Sequence, residues 1–486
     1  MFRLPAILLC AALALPAADD LDKQIKSVID AFAIVEQNAA DPITAEQAFY
    51  QGAIPGLLRK LDPHSVFFDP GQFDQLKKME SSTQKGFGSV VSLVPGRVVV
   101  LQTLPGTPSA KSGLAPGDEI VAINNYIISR LDLDQLTELL GESRQHPAQL
   151  DVMRPGAGRI MRLVLTPEEM QTSSVERTFF IGPGIGYLHV TSFDENTGKD
   201  IKAAILKLGG EKLAGLVLDL RGNPGGVVTA ALETAALFLE PGQTIFTIRG
   251  RNVPEKAEVV PQSAHPYQFK LVVMVNEKTA SASEIVSGAL QDHDRATVIG
   301  EVSYGKGLVQ SVYPLSEGAG LALTTALYYT PSGRSIQKPL DVKQFELGAT
   351  TAHPNTQSEF RTDKGRAVTG GGGIRPDFIV LPEAYSRLRI ALMTSGSFTS
   401  FATEYLRSHN VDADFEVAPT VLDEFIAFAA TLGVQPGPAE WSSQGAFLRN
   451  RIKTEIFNQA FGVDRGDQVE LQRDPLILKA LEILGS

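Results

Sequence analysis

Cysteine is almost absent from this sequence of 486 residues, which contains only Cys10. Because no cysteine follows Cys10, the chain beyond it has no disulfide, no thiol nucleophile and no cysteine-ligated zinc. Seven histidines are present, but no HExxH-type pair. Asp292-His293-Asp294 is more typical of a solvated turn than of a metal site. We therefore expect no metal and no cofactor.

An excess of positive charge is also missing. Lys and Arg total 44 against 55 Asp and Glu, which gives a net charge of -11. Because phosphate binding needs a basic face, we expect no nucleic-acid partner, and the acidity is explained by solubility. Hydrophobic residues make up 43% of the chain, an ordinary globular balance, and the length suggests about three domains.

Long apolar runs are scarce, with one exception at the N-terminus. Arg3 precedes an apolar stretch from Leu4 to Ala18, and Asp19 follows. A membrane-spanning helix needs about 20 apolar residues, so residues 1–18 are predicted to be a secretory signal peptide. The expected location is periplasmic or extracellular, with membrane association if the segment is not cleaved.

Four further segments differ in pattern. Residues 19–82 are predicted to be helical, with a buried apolar stripe formed by Ile25, Val28, Ile29, Phe32 and Val35. Residues 83–170 contain short β-branched runs separated by Gly and Pro turns. In residues 171–385 strands and helices alternate, which predicts an α/β core, and residues 386–486 are helical again. The polar, Gly-rich residues 341–373 are predicted to be a long loop.

Three serines lie close together in "EKTASASEIVSGAL", residues 277–290. The apolar strand "LVVMVN" precedes them, so Ser281 falls at a strand-to-helix turn, with Glu284 completing a capping box. Taken alone, Ser281 is adequately explained as a helix cap. Alternatively, its hydroxyl is a nucleophile, since free N–H groups at a helix start favour a developing oxyanion.

A serine nucleophile needs a base, and a lysine follows in "YGKGLVQ". The glycines beside Lys306 let the backbone approach closely and could keep the amine from bulk water. A lysine base requires a pKa lowered from about 10.4 towards roughly 7 to 8. If the chain runs as a strand from Lys306, then Lys306, Leu308 and Gln310 share one face. Taken alone, an exposed surface lysine is the simpler interpretation.

A third candidate is the glycine turn in "LVLDLRGNPGGVV". An apolar strand leads into it and an apolar helix follows. The turn lacks the GxxxxGK[ST] phosphate-binding pattern. The N–H groups of Gly225 and Gly226 would suit an oxyanion, although a plain strand-to-helix turn explains the pattern equally well.

Together, "LDLRGNPGG", "TASASEI", "YGKGLVQ" and "YYTPSGRSIQ" resemble the carboxyl-terminal processing proteases, also called tail-specific proteases. "LDPHSVFF" and "GIRPD" fit the same family, and "GFGSVVSL" through "PGDEIVAINN" is similar to its PDZ domain. The resemblance covers roughly residues 25–390. It implies a crotonase-like protease core with a mixed sheet, a β-rich PDZ domain, and helical N- and C-terminal segments.

The resemblance also implies a Ser/Lys dyad in a serine endopeptidase. By motif, Ser281 is the nucleophile, Lys306 the general base, and Gln310 a third active-site position. The implied oxyanion hole consists of backbone amides, those of Ala282 and of Gly225 or Gly226. Ser283 and Ser287 are then a helix-turn and a packing position.

The PDZ-like segment is implied to bind substrate tails. Gly86, Phe87 and Gly88 would receive the terminal carboxylate, and Arg154 would contact a peptide or the core. Expected substrates are exported proteins or peptides with apolar C-termini. The N-terminal helices resemble a cap that serves dimerisation in several members, so a homodimer is expected to be one form. A need for an activating adaptor stays open.

Two other functions are compatible with parts of the sequence. In a peptide-binding scaffold the PDZ domain would hold partners beside an idle active site, but the intact Ser, Lys and Gln set argues against it. Acyl-CoA chemistry is suggested by the crotonase-like core and opposed by the signal peptide, because acyl-CoA is a cytoplasmic ligand.

Overall fold

The computed structural model describes residues 17–80, 83–94, 96–155, 157, 159–171, 173–339 and 359–485. Cys10 and the predicted signal peptide, apart from its last two residues, lie outside this range. The chain forms two compact units. Among the described residues, the smaller unit comprises 17–73 and 310–324, and the larger comprises 74–309, 325–339 and 359–485. The domain boundaries inferred from the sequence stay predictions.

The smaller unit begins with helices. Its first elements are α1 (Ala17–Asn38), a π-helical segment (Gln47–Ala53), α2 (Ile54–Arg59) and strand β1 (Val66–Phe68). Strand β1 pairs antiparallel with residues 320–322, with Phe67 opposite Leu321. The Asp62 carboxylate orders the turn before β1 by accepting the N–H groups of His64 at 2.7 Å and Ser65 at 2.9 Å.

The predicted burial of the α1 stripe is wrong. The side chains of Ile25, Val28, Ile29 and Val35 are 45–55% exposed. Phe32 packs against Phe49 of the same unit, with ring centroids 5.1 Å apart. The helical periodicity therefore marks an apolar face that this chain leaves largely uncovered.

A β-rich module opens the larger unit. Its elements are α3 (Pro70–Glu80), which starts in the smaller unit, then β2 (Thr83–Gly86), β3 (Ser89–Val94), β4 (Arg97–Thr103), α4 (Pro108–Lys111), β5 (Glu119–Ile123), β6 (Tyr126–Ile127), α5 (Leu133–Ser143), β7 (Ala148–Met153), β8 (Ile160–Leu165) and β9 (Glu168–Gln171). The antiparallel sheet has the order β3-β4-β5-β7-β8, while β2 pairs separately with β9. Strand β3 is therefore an edge strand.

The α/β core follows. Its elements are β10 (Val175–Gly182), β11 (Ile185–Val190), α6 (Thr197–Lys207), β12 (Gly215–Asp219), α7 (Val228–Ala236), β13 (Thr244–Arg249), β14 (Lys256–Val259), β15 (Lys270–Val275), α8 (Ala282–Asp292), β16 (Thr297–Gly300), β17 (Leu308–Pro314), β18 (Gly320–Tyr329), β19 (Glu359–Arg361), β20 (Ala367–Thr369) and β21 (Phe378–Ile379). Strands β17 and β18 belong in part to the smaller unit, which includes residues 310–324. The central sheet has the order β10-β11-β12-β15-β16-β21. Only the β10–β11 pair is antiparallel, so the sheet is mixed.

Helices make up most of the C-terminal segment. They are α9 (Arg387–Thr394), α10 (Ser397–Ser408), α11 (Pro419–Thr431), α12 (Pro438–Ser443), α13 (Gly445–Phe461), α14 (Val463–Leu471) and α15 (Pro475–Leu484). Helices α9 to α14 share an apolar core in which Phe398 stacks on Phe425 at 4.8 Å. No helix in the described part of the chain is long and apolar enough to cross a membrane.

The central sheet is buried on both faces. Leu216 and Leu218 of β12 belong to the apolar cluster that includes helices α6, α7 and α8, whereas Val217 belongs to a second cluster with α15. This alternation follows from the period of two along a strand, and it explains why β12 is continuously apolar up to Asp219. The C-terminal helix α15 is thus a layer of the core.

The C-terminal helices also contact the β-rich module through a polar seam. The Arg97 guanidinium is paired with Glu119, at 3.0 and 2.8 Å, and donates to the Ser400 hydroxyl of α10 at 3.0 Å. The hydroxyl oxygens of Ser92 and Thr399 are 3.3 Å apart. We call these residues of β3, β4, β5 and α10 the polar seam.

Two local expectations are corrected. Strands β19 and β20 pair within residues 341–373, so this stretch is not entirely loop, although residues 340–358 lie outside the described range. Asp292 is not in a solvated turn: it is buried and ion-paired with the buried Arg334 at 2.7 Å. The overall fold class is confirmed, since a mixed-sheet α/β core, a β-rich module and helical ends are all present.

Candidate active site

Ser281 lies in a strained backbone conformation. It directly precedes α8, after the loop that leaves β15, and its φ and ψ are 54° and -115°. L-residues rarely adopt a positive φ, and such strain persists only where the surroundings impose it, often at functional sites. Here Ala280 N–H donates to the Asn223 carbonyl at 3.0 Å, and the Tyr328 hydroxyl donates to the Ser281 carbonyl at 3.3 Å.

Glu284 connects the serine turn to the lysine loop. Its buried carboxylate accepts the N–H of Ser281 at 2.8 Å and that of Lys306 at 2.9 Å, both on Oε2. Oε1 accepts the Gly305 N–H at 2.7 Å and the Ser303 hydroxyl at 2.5 Å. Burial raises the pKa of Glu284, although these hydrogen bonds oppose the rise. One carboxylate therefore fixes the backbone of both predicted dyad residues.

Lys306 is half-buried in the loop between β16 and β17. The sequence prediction placed Lys306 and Gln310 on one face of a strand that starts at Lys306. Strand β17 instead begins at Leu308, so Lys306 is not part of it. The flanking glycines do allow close backbone approach. A Cβ on Gly305, whose φ is +90°, would lie 3.1 Å from the Gly373 nitrogen, and one on Gly307 would lie 2.9 Å from the Gln337 nitrogen.

The glycine turn after β12 packs against the serine turn. A Cβ on Gly225 would lie 2.8 Å from both the Ser281 Cβ and the Ala282 nitrogen, so a side chain cannot fit. The Gly225 N–H donates to Oδ1 of Asn223 at 2.9 Å. By contrast, the N–H groups of Gly226 and Ala282 donate to no acceptor in the described part of the chain.

A charged group that the sequence interpretation overlooked lies at the start of this turn. The Arg221 guanidinium is bonded to the buried carboxylate of Asp219, at 2.7 to 3.0 Å, and to Asp474 at 2.7 Å. The Tyr187 hydroxyl also donates to Asp219, at 2.7 Å. Burial pushes the pKa of Asp219 upward, but Arg221 more than offsets this and the pKa is lowered. In the sequence, this ion pair is marked by two charged residues, Asp219 and Arg221, directly after the apolar residues of β12.

The other residues predicted from the sequence are described here by their own contacts. Gln310 belongs to the smaller unit, where its Nε2 donates to the His64 carbonyl, and its catalytic role stays a prediction. Gly86 ends β2, Phe87 packs against the core of the module, and the Gly88 carbonyl accepts the Leu104 N–H at 2.8 Å.

Arg154 lies within the β-rich module and is already engaged there. Its guanidinium is paired with the buried Asp118 and donates to the Gly113 carbonyl, each at 2.7 Å. These bonds give Arg154 a structural role in the module. Its predicted contact with a peptide or the core stays a prediction.

Comparison with known proteins places this architecture in a class. The family model for peptidase family S41 matches residues 184–344, and the PDZ domain model matches residues 75–153. A strained serine at the start of a helix, beside a glycine turn in which the Gly226 N–H has no acceptor among the described residues, is consistent with a serine peptidase. The fold and the matches define a serine peptidase that carries a PDZ domain.

Curated relatives narrow the class of peptidase. The carboxy-terminal-processing protease of Bartonella bacilliformis is 35% identical over 374 residues, covering 71% of this chain and 84% of the relative. CtpB, a carboxy-terminal processing protease of Bacillus subtilis, is 29% identical, and the match covers 66% of this chain and 67% of the length of CtpB. The solved structure of the photosystem II D1 C-terminal processing protease is 25% identical in sequence and has a TM-score of 0.40. The match covers 75% of this chain and 94% of the solved chain. The chain belongs to the carboxy-terminal processing proteases, and its substrates are proteins or peptides.

Proposed function

We propose that Ser281 and Lys306 form the catalytic dyad of this peptidase. The observation that carries the proposal is the Glu284 carboxylate, one oxygen of which binds the backbone N–H groups of both residues. A shared buried acceptor of this kind holds two loops in a fixed relation, as a two-residue catalytic site requires. The strained Ser281 backbone supports the same assignment.

In the proposed mechanism, the neutral amine of Lys306 takes the proton of the Ser281 hydroxyl as the oxygen attacks the peptide carbonyl. The N–H groups of Gly226 and Ala282 stabilise the resulting oxyanion, since both lack acceptors among the described residues while that of Gly225 is occupied by Asn223. Lys306 then returns the proton to the leaving amine. Water, deprotonated by the same lysine, releases the acyl group from Ser281.

Substrate tails are proposed to bind the PDZ domain at β3. This strand is at the edge of its sheet, so a peptide can add to it as a further strand. Phe87, Val91 and Leu140 are half-buried against the core of the module and offer an apolar site for the last side chain. The turn at Phe87-Gly88 precedes the strand and would receive the terminal carboxylate.

Export is proposed from the N-terminal sequence. The apolar stretch that starts at Leu4 would direct the protein to the periplasm or the extracellular side, where its substrates would be exported proteins. Membrane association applies if the segment is retained.

A homodimer is proposed through α1. The exposed apolar stripe of this helix, with Ile25, Val28 and Ile29 about half exposed, is suited to burial against the same helix of a second copy. An activating adaptor is the alternative occupant of this face.

The test compares the mature protein with its Ser281→Ala and Lys306→Ala variants on an unfolded peptide library with varied C-termini. We expect cleavage by the wild type alone, faster for peptides with apolar free C-termini, and labelling of Ser281 by a fluorophosphonate. Binding of tails without cleavage or labelling would instead support the peptide-binding scaffold. Cleavage by the Ser281→Ala variant would exclude the dyad.

A further inference from the structure

Asp474 joins the C-terminal helices to the glycine turn of the active site. Its two carboxylate oxygens have different partners. Oδ1 accepts the Leu476 N–H at 2.8 Å and so caps α15, whereas Oδ2 accepts Nη1 of Arg221 at 2.7 Å. The Asp474 side chain is only 16% exposed. A helix cap alone needs one oxygen, so the second contact is an additional feature of this residue.

Arg221 needs both of its acidic partners. Its Nε and Nη2 bind Asp219, and its Nη1 binds Asp474, so the planar guanidinium is held along two edges. Burial of the guanidinium would lower its pKa, but the two carboxylates more than compensate and raise it. The cation is therefore permanent, and removing one carboxylate leaves a largely buried charge only partly compensated.

The position of Arg221 is transmitted to the catalytic turn through short covalent and hydrogen-bonded links. Its own N–H donates to Asp219 at 3.0 Å, and the turn continues directly to Asn223. The Asn223 carbonyl accepts the Ala280 N–H at 3.0 Å, and its Oδ1 accepts the Gly225 N–H at 2.9 Å. A displacement of Arg221 would thus reach both the oxyanion donors and the residue before Ser281.

We propose that Asp474 is a positioning residue for peptide hydrolysis: through Arg221 it fixes the glycine turn that presents the oxyanion-stabilising N–H groups. This inference rests on the dyad and oxyanion donors proposed above. It gives the C-terminal segment a part in catalysis although that segment contributes no group to the reacting atoms.

Two substitutions separate this role from helix capping. Asp474→Asn retains one oxygen, which can serve Leu476 or Arg221 but not both. Asp474→Ser keeps a good cap and is too short to reach Arg221. The matched control is Glu470→Gln, which removes a carboxylate that pairs with Arg451 at 2.7 Å. Glu470 lines a cavity together with Arg221 and Asp474, but its described ion pair is with Arg451 and not with Arg221.

The measurements are kcat and KM on a cleaved peptide, the rate of Ser281 labelling by a fluorophosphonate, and the melting temperature. For both Asp474 variants we expect kcat to fall roughly 10- to 100-fold. KM should stay within about twofold, because substrate binding is not affected. Labelling should slow in parallel, since the phosphonate oxygen uses the same N–H donors. Both Asp474 variants should melt below Glu470→Gln, because the buried Arg221 charge is left partly uncompensated, so the kinetics are measured at a temperature at which every variant is folded.

Wild-type kcat and labelling in both Asp474 variants would overturn the inference. So would an equal loss of kcat in Glu470→Gln, or a loss of activity that follows the unfolded fraction. Ser281→Ala is included in each series. If that variant still cleaves the peptide, the proposed dyad itself has failed. An inactive Ser281→Ala with unaffected Asp474 variants would reject the positioning role alone.

Discussion

At the scale of single residues, the backbone of Ser281 departs from relaxed geometry. Its φ of 54° with ψ of -115° is a combination that only glycine adopts without cost. The hydrogen bonds of Ala280 and Tyr328 keep the residue in place. Part of the folding free energy therefore maintains the orientation of one hydroxyl.

This strain can be measured by comparing two inactive variants. Ser281→Ala keeps a Cβ and hence the strain, whereas Ser281→Gly removes it. We expect the glycine variant to be more stable by about 1 kcal/mol in urea unfolding, since relief of strain exceeds the added entropy of the unfolded chain. A glycine variant less stable than the alanine variant would show that the conformation carries little strain.

Glu284→Gln tests the carboxylate that four donors share. The amide has one oxygen and brings its own N–H₂ group towards N–H donors, so at least two donors lose their acceptor. We expect a loss of about 3 kcal/mol in stability together with loss of peptide cleavage. Ser303→Ala, which removes a single donor to the same carboxylate, is the control and should retain activity. Wild-type cleavage by Glu284→Gln would contradict the linking role.

The site could be predicted from sequence only where its contacts are local. The Glu284–Ser281 contact spans three residues and follows from the capping pattern. The bond from Lys306 to Glu284 spans 22 residues, and that from Arg221 to Asp474 spans 253. Such pairs leave no periodic signal in one sequence, because they depend on how distant segments pack.

At the scale of elements, the alternation of strands and helices was predicted because buried parallel strands are continuously apolar, as β12 is. The partner of an apolar face could not be predicted. The α1 stripe has the right period for burial, but periodicity identifies a face and not what covers it. Likewise, the strand predicted from Lys306 starts later because Gly305 and Gly307 are required for close contacts that a regular strand does not make.

The polar seam between the β-rich module and α10 leads to a prediction at this scale. Arg97→Ala removes the bond to Ser400 and leaves the half-buried Glu119 unpaired. Because the described bonds across the seam are few and polar, we expect faster amide hydrogen exchange in β3 and β4 with little change in the α/β core. Arg162→Ala is the matched control, since Arg162 pairs with Asp151 on the same sheet at 2.9 Å. Equal exchange in both variants would mean that the seam does not restrain the module.

At the scale of the whole molecule, the exposed stripe of α1 predicts self-association. Ile25→Glu and Ile29→Glu, combined, place charges on this face and should shift a dimer to monomer in sedimentation velocity. Leu478→Glu is the control, because Leu478 is also about half exposed, at 53%, but lies on α15. If the wild type sediments as a monomer at all concentrations tested, the proposal that a second copy covers the apolar face of α1 is wrong.

If Asp474 positions the glycine turn as proposed, its pairing with Arg221 also sets the order in which activity arises during synthesis. The two residues are separated by 253 positions. Because synthesis proceeds at about 5 to 20 residues per second, Asp474 is added roughly 13 to 50 s after Arg221. A ribosome-bound chain therefore contains Ser281 and Lys306 before it contains the Asp474 carboxylate. A nascent protease of this design would cleave neighbouring chains slowly until Asp474 and helix α15 have been synthesised.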